Sequence, residues 1–389
     1  MTQKPEYAYI AFDVFPSQKG AATHIDHCLK ALQNTFSTGI LICLGTDEMP
    51  SFQYDKERKL YVYRFKEKIR NFLDRTKKFQ QTITNLLQLP INSEIKLVHF
   101  RDVWGGLAAF DAKGNFNTIF EVNAFSHLEL PNRYPHVSSL VLEKIKKLEA
   151  KCIHQSSAII TPSQITKQFI CKTFETDSTK ITIIPNGVTI YEVEEHRSRT
   201  KKPYILYFGA FQKWQGLKTL FKAFKELQDT DLRLMLCASV PEKRTEIYQA
   251  LAKDIGIFDT IDWFFELDKT ELAKKIKGAF LTVAPLAACD RNIIQGCNPL
   301  KVLESMSYGV PVVASKLPVI EELITDDITG FLVPPDRPQE LGRQIRFLFE
   351  QKKFVKEVGS NAKNNIEEKY LWEDQEVKMK NIYLNLNYV

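Results

Sequence analysis

The stretch "NPLKVLESMSYGVPVVAS", residues 298–315, reads as a helix that runs at once into a buried strand. Asn298 followed by Pro299 is a favourable helix opening, with the asparagine as N-cap and the proline as the first helical residue. Lys301 then falls in the first turn. A cation at that end is unfavourable, because unpaired N–H groups give a helix N-terminus a partial positive charge. The placement has a reason if an anion arrives there and is held by the lysine and the helix end together.

Working outward, short apolar runs alternate with longer mixed segments. Residues 7–12, 39–44, 97–100, 117–122, 158–161 and 181–185 read as strands, with helical patterns such as "ATHIDHCLKALQNTF" and "LVLEKIKKLEAKCIHQ" between them. The polar segment "YEVEEHRSRTKKP" (191–203) has no apolar periodicity and marks a domain boundary. Beyond it the alternation restarts, with strands at 204–209, 232–237, 261–265, 279–285 and 310–315. Strand–helix alternation argues for parallel sheets covered by helices on both faces. The predicted architecture is α/β, with two doubly wound, Rossmann-like domains at 1–190 and 203–368 facing a central cleft.

In such sheets ligands bind at the carboxyl ends of strands, so loops that follow strands face the ligand. Gly20 follows the first strand and opens a helix, where its backbone N–H groups can approach a ligand. "FGAFQKWQGLKTLFKAF" (208–224) does the same in the second domain and contains Gly209 and Lys213. "APLAACDRNIIQGCNPLKVLE" follows another strand, so Lys213, Arg291 and Lys301 are expected to converge. "DTD" (229–231) precedes a strand, at the wrong edge for a metal, and reads as a turn. No metal site, P-loop, GxSxG or GxGxxG is found. His99 and His154 read as packed or capping residues, and His24 and His27 as surface or core residues of one helix.

A chain of 389 residues with 44% hydrophobic and 26% charged content fits two soluble domains. It has no apolar run of spanning length and no signal-peptide layout at its start, so a cytoplasmic location is expected. Seven cysteines without a CxxC pair read as reduced core thiols. The net charge of +6 is concentrated between Lys56 and Lys78, where ten basic residues face three acidic ones. The rest is about neutral, and no nucleic-acid partner is expected. Apolar residues from Phe65 to Leu87 recur at helical spacing among these lysines and arginines, so residues 56–87 are expected to touch an anionic membrane surface peripherally, on its inner face.

Four stretches look familiar: "KITIIPNGV" (180–188), "YILYFGAFQKWQGL" (204–217), "PLKVLESMSYGVPVVAS" (299–315) and "VIEELITDDITGFLVPP" (319–335). The chain resembles the retaining glycosyltransferases of family 4, which have the GT-B fold. The ending "YLWEDQEVKMKNIYLNL" resembles the family's last helix, which implies that 369–389 packs back on the first domain. The resemblance implies sugar transfer from a nucleotide-diphosphate donor, without cofactor or metal, to a glycan precursor, a lipid-linked sugar or a small metabolite. Lys301 and Lys213 would then neutralise the departing diphosphate, and Glu304 would hold the donor ribose. The family's other motif glutamate falls on Gly296, leaving Asp290, Gln295 or Asn298 as substitutes. Its usual GR arginine is Ala210, and the lysine before Gly216 is Gln215. The family's first-domain histidine falls on Asn123, with His127 four residues on, and both are candidate contacts to the reacting sugar or acceptor. The rival readings are a GT-B epimerase or phosphorylase and a non-catalytic sugar-binding partner.

Overall fold

The computed structural model describes residues 3–17, 20–192 and 202–387. It divides into two compact units, Met1–Pro185 with Glu373–Val389, and Asn186–Trp372. Most of the expected boundary segment, at 193–201, lies outside the described residues. The two crossings between the units are stitched together inside the second one. There Val188 bridges Leu371, and the Val188 N–H donates to the Tyr370 carbonyl at 2.8 Å.

The first unit holds strands β1 (Tyr7–Val14), β2 (Gly39–Leu44), β3 (Phe52–Asp55), β4 (Leu60–Phe65), β5 (Leu97–Phe100), β6 (Asn117–Glu121), β7 (Ala158–Thr161) and β8 (Ile181–Ile183). Their order is β3-β4-β2-β1-β5-β6-β7-β8, and only β3 runs antiparallel to its neighbour. The central strands are continuous apolar runs because helices cover both sheet faces; every residue of β2 is buried. The helices are α1 (Gly20–Gln33), α2 (Phe72–Leu87), α3 (Val103–Ala112), α4 (Ser126–Arg133), α5 (Ser139–Gln155) and α6 (Gln164–Phe174).

The second unit holds β9 (Tyr204–Gly209), β10 (Arg233–Ala238), β11 (Ile261–Phe265), β12 (Leu281–Ala284), β13 (Val312–Ser315) and β14 (Phe331–Val333). They form a fully parallel sheet in the order β11-β10-β9-β12-β13-β14. Its helices are α7 (Leu217–Lys225), α8 (Glu246–Ile255), α9 (Lys269–Lys277), α10 (Leu300–Ser307), α11 (Pro318–Glu321), α12 (Pro338–Glu350) and α13 (Lys352–Lys369). The last helix, α14 (Trp372–Asn387), returns to the first unit from Glu373 onward. Its Met379 and Tyr383 are buried in the same cluster as Tyr7, Tyr9 and Ile25.

The strand order reverses between β9 and β12 in the second sheet, and between β1 and β5 in the first. Loops diverge at such points and leave a crevice outside the carboxyl ends. In the second unit the diverging loops are the ones that carry Lys213 and Arg291.

The basic segment corrects the sequence reading. Phe65 lies on β4, and the helix starts only at Phe72, after Asn71 caps it by accepting from the N–H groups of Leu73 and Asp74. Phe79, Ile83 and Leu87 form the buried stripe of α2 and belong to the unit's core. That stripe is buried in the unit's core, so it is not an apolar face for a membrane; of the apolar residues in the segment, Leu73 is exposed, beside the charges. Strands β3, β4 and β14 were not expected from the sequence. β3 alternates exposed and half-buried residues, and β14 is three residues long, so neither carries a strong apolar run.

Gly216 joins the β9 loop to α7 with φ +72°, and a Cβ there would lie 1.6 Å from the Pro285 carbonyl oxygen. The two diverging loops therefore touch through bare backbone. Gly216→Ala should destabilise the protein by at least about 1–3 kcal/mol, read as a lowered midpoint in urea denaturation.

Candidate active site

Lys301 lies at the start of α10, half-buried. Its Nζ donates to Gln215 Oε1 at 2.5 Å and stands 4.0 Å from the Tyr207 ring centroid. Tyr207 is fixed in turn, its hydroxyl donating to the Ala210 carbonyl at 2.6 Å. A Cβ on Gly209 would come within 3.7 Å of Lys301 Cε, so the lysine lies along the carboxyl end of β9. No carboxylate pairs with Lys301 among the described residues. Burial, with Arg291 adding to it, lowers its ammonium to about 7, against the pull of Glu304 and Cys297.

Glu304 is one helical turn further on, at the spacing that places two side chains on one face. Its carboxylate has no hydrogen-bond partner among the described residues. Burial raises its pKa to about 6, although Lys269 and Lys301 oppose the rise. A half-buried, unpartnered carboxylate is an acceptor awaiting donors.

The loop before α10 is built around a five-residue π turn, Arg291–Gln295. Asn292 is fully buried and donates to the carbonyls of Trp214 and Ala287, which locks this loop to the Lys213–Gln215 turn. The Arg291 guanidinium stacks over the Trp214 ring at 5.0 Å. Lys213 is exposed at the head of the same turn. The two loops are thus brought together with Lys301 reaching Gln215 and Arg291 lying on Trp214, two residues the sequence reading did not place in the site.

Three readings need correction. Asn298 is not the N-cap: α10 begins at Leu300, and Asn298 instead accepts from the Asn186 N–H at 3.2 Å and holds the Asn186 side chain with its own carbonyl. Its side chain is occupied as a brace for the chain crossing. Gly296 has φ +83° and ψ 165°, a region essentially restricted to glycine, so a turn occupies the place of the motif glutamate. Gln295 is fully buried and Asp290 is exposed, which leaves Asp290 as the accessible acidic group of this loop.

The third correction concerns His127 in the first unit. Its Nδ1 is paired with the buried Glu149 carboxylate, and its ring lies among Phe125, Phe169 and Phe174. It is a packed histidine turned into the unit's interior. Gly20 opens α1 at the carboxyl edge of β1, as expected.

Asn123 follows β6 and donates to Glu121, the last residue of that strand. Glu121 is 2% exposed and gathers a set of polar partners. Arg101 and His24 meet one carboxylate oxygen; Tyr9 donates to the other at 2.7 Å, and His99 and the Cys28 thiol lie within 3.4 Å of it. Burial alone would raise the Glu121 pKa, but Arg101 and His24 outweigh it and hold the carboxyl well below its usual range. Among the described residues, only His24, Cys28 and Glu121 place His, Cys and acid ligand atoms close enough to share an ion. Arg101 already supplies the compensating charge there, so the group is a hydrogen-bonded core network. Strand spacing hid it, because its members come from β1, α1, β5 and β6. The "DTD" turn is paired at both ends, Asp229 with Arg346 and Asp231 with Lys202.

With this geometry in view, comparison with known proteins is decisive. Residues 191–365 match the family model described as glycosyl transferases group 1, and residues 19–191 match that of glycosyltransferase family 4. The chain is a family 4 glycosyltransferase. The transferase is 23% identical over 278 residues to an uncharacterised glycosyltransferase of Methanocaldococcus jannaschii, covering 64% of this chain and 69% of that one. Its fold is GT-B. Sucrose-phosphate synthase from Thermosynechococcus elongatus superposes with a TM-score of 0.81 at 16% identity, over 98% of this chain and 99% of that one. HepE of Anabaena, solved in complex with UDP and glucose, superposes with a TM-score of 0.76 at 14% identity, over 98% and 100%.

Two outcomes follow for the transferase. Affinity for a nucleoside diphosphate, measured by titration calorimetry, should be greatest between about pH 6 and about 7. It should fall on the acid side as Glu304 gains a proton and on the alkaline side as Lys301 loses one; Lys301→Arg should remove the alkaline limb. Separately, Glu121→Gln leaves the Arg101 guanidinium buried without its full counter-charge. It should cost about 3–5 kcal/mol of stability in chemical denaturation.

Proposed function

We propose that this transferase moves a sugar from a nucleotide-diphosphate donor to a hydroxyl acceptor with retention at the anomeric carbon and without a metal ion. The observation that carries the reading is the juxtaposition, at the switch point of the second sheet, of a half-buried Lys301 that pairs with no carboxylate and a Glu304 carboxylate without a hydrogen-bond partner, among the described residues. The diphosphate of the donor would meet Lys301, with Arg291 and Lys213 beside it, and Glu304 would accept from the ribose hydroxyls. Binding of a nucleotide sugar by the similar HepE, solved with UDP-glucose, supports that donor class.

In the reaction, the bond between the anomeric carbon and the phosphate oxygen breaks as negative charge gathers on the diphosphate. Cationic side chains and the α10 N-terminus stabilise that charge. The acceptor oxygen attacks from the same face, and its proton passes to the departing phosphate oxygen. Asn123, at the carboxyl edge of the first sheet, would orient the reacting sugar or acceptor. Among the described residues no helix is long and apolar enough to cross a membrane, and we place the reaction in the cytoplasm.

A thermal-shift screen of nucleotide sugars, followed by assay with the best binder, tests the reading. Glu304→Gln should lower donor affinity by about tenfold or more, as expected for loss of a charged acceptor. Activity should survive EDTA, and proton NMR should find the donor's anomeric configuration in the product. Loss of activity in EDTA with recovery in Mn²⁺ would refute the metal-free mechanism. Nucleotide-sugar binding with neither transfer nor donor hydrolysis would favour a non-catalytic partner.

A further inference from the structure

The carboxyl edge of the first sheet carries a second basic group that the donor chemistry does not use. Phe12 lies near the end of β1, Phe72 opens α2, Trp104 lies in the first turn of α3, and Tyr134 follows α4. Their rings form one patch. Phe72 stands 6.1 Å from Phe12, 5.9 Å from Trp104 and 5.4 Å from Tyr134. Two guanidinium groups lie on this patch, Arg75 over Phe12 at 5.4 Å and Arg133 over Tyr134 at 5.5 Å.

Arg75 differs from the other basic residues of its segment, which are either engaged or, like Lys56, Lys59, Arg70 and Lys77, exposed to solvent. Arg58 is paired with Asp26, Lys68 with Asp47 and Lys78 with Glu67, while Arg64 donates to carbonyls. Arg75 is half-buried, its Nε is buried without a hydrogen-bond partner, and no acid pairs with it among the described residues. A buried N–H of a cation left without an acceptor is costly and calls for an explanation. The Phe12 ring holds the guanidinium in place, and its terminal nitrogens form a planar fork of donors with no carboxylate partner among the described residues. Such a fork matches the oxygens of a phosphoryl group.

We infer that this patch is a subsite for a phosphoryl group carried by the acceptor, gripped by Arg75 with Arg133 adding positive charge to the same patch, while the exposed Tyr134 ring covers the adjoining sugar or carbon chain. The inference rests on the transferase reading for the word acceptor, but not for the site itself. The phosphoryl group belongs either to a soluble sugar phosphate or to a lipid.

The test is calorimetric titration of the full-length protein with inorganic phosphate at constant ionic strength, with UDP present at saturation so that the second unit's anion site is filled. Saturable binding is expected. It should weaken about tenfold in Arg75→Gln and further in Arg75→Gln/Arg133→Gln, with unchanged melting temperatures, and Arg75→Lys should retain most of it. Absence of saturable binding, or an unchanged affinity in the double variant, would overturn the inference. If UDP itself fails to bind, the donor reading falls, while phosphate titration without UDP still decides the role of Arg75. Two further arms name the source. Competition by glucose 1-phosphate identifies a soluble acceptor. Flotation with phosphatidylglycerol vesicles, lost in Arg75→Gln, identifies a lipid.

Discussion

Lys301, a cation with which no carboxylate pairs among the described residues, organises the second unit. It is held by a side-chain amide and an aromatic face, at the helix end where its own charge is least welcome. Burial and the helix both press it toward losing its proton. Glu304 and Cys297 oppose that pressure only in part, and an arriving anion would relieve it further. Gly209 leaves room along the strand, Gly216 lets the two loops meet, and Asn292 ties one loop to the other. In the proposed reaction such a site would contribute charge that is already in place before the diphosphate departs.

The first unit solves the opposite problem. Its buried charge, Glu121, has more donors than a carboxylate needs, and the surplus is structural. Arg101 and Asn123 are set at the carboxyl edge, while His99 reaches Tyr383 on the returning helix at 3.0 Å. One carboxylate therefore ties the ends of β5 and β6 to α1 and, through His99, to α14. Packing likewise explains why α2 is amphipathic: its apolar stripe faces Phe12 and Phe65 through Phe79, while Lys77 and Lys78 remain outside.

Much of this was legible in the residues. Strands such as β2, β5, β7 and β9 coincide with the apolar runs, because a strand buried on both faces has a continuous apolar sequence. Two of the edge strands, β3 and β14, were not legible: β3 carries an exposed Phe52 and only alternating burial, which resembles a loop. The helix of the basic segment was extended too far back, since Phe65 keeps helical spacing with α2 while belonging to a strand. In the site, Lys301 and Glu304 could be read because one short helix carries both. Gln215 and Tyr207 could not, because each is ordinary in its local sequence and acquires meaning only beside Lys301.

By itself the sequence determined the alternation of strand and helix, the edge at which ligands bind, and the anomaly of a lysine opening a helix. These are local properties, set by periodicity and by the polarity of a helix end. The tertiary structure alone decided that Asn298 braces Asn186 instead of capping α10, that His127 turns inward to Glu149, and that Glu121 joins groups from four elements. A side chain's partner depends on which segments the sheet order brings together, and residues 112 positions apart, such as Tyr9 and Glu121, carry no mark of their pairing in the chain.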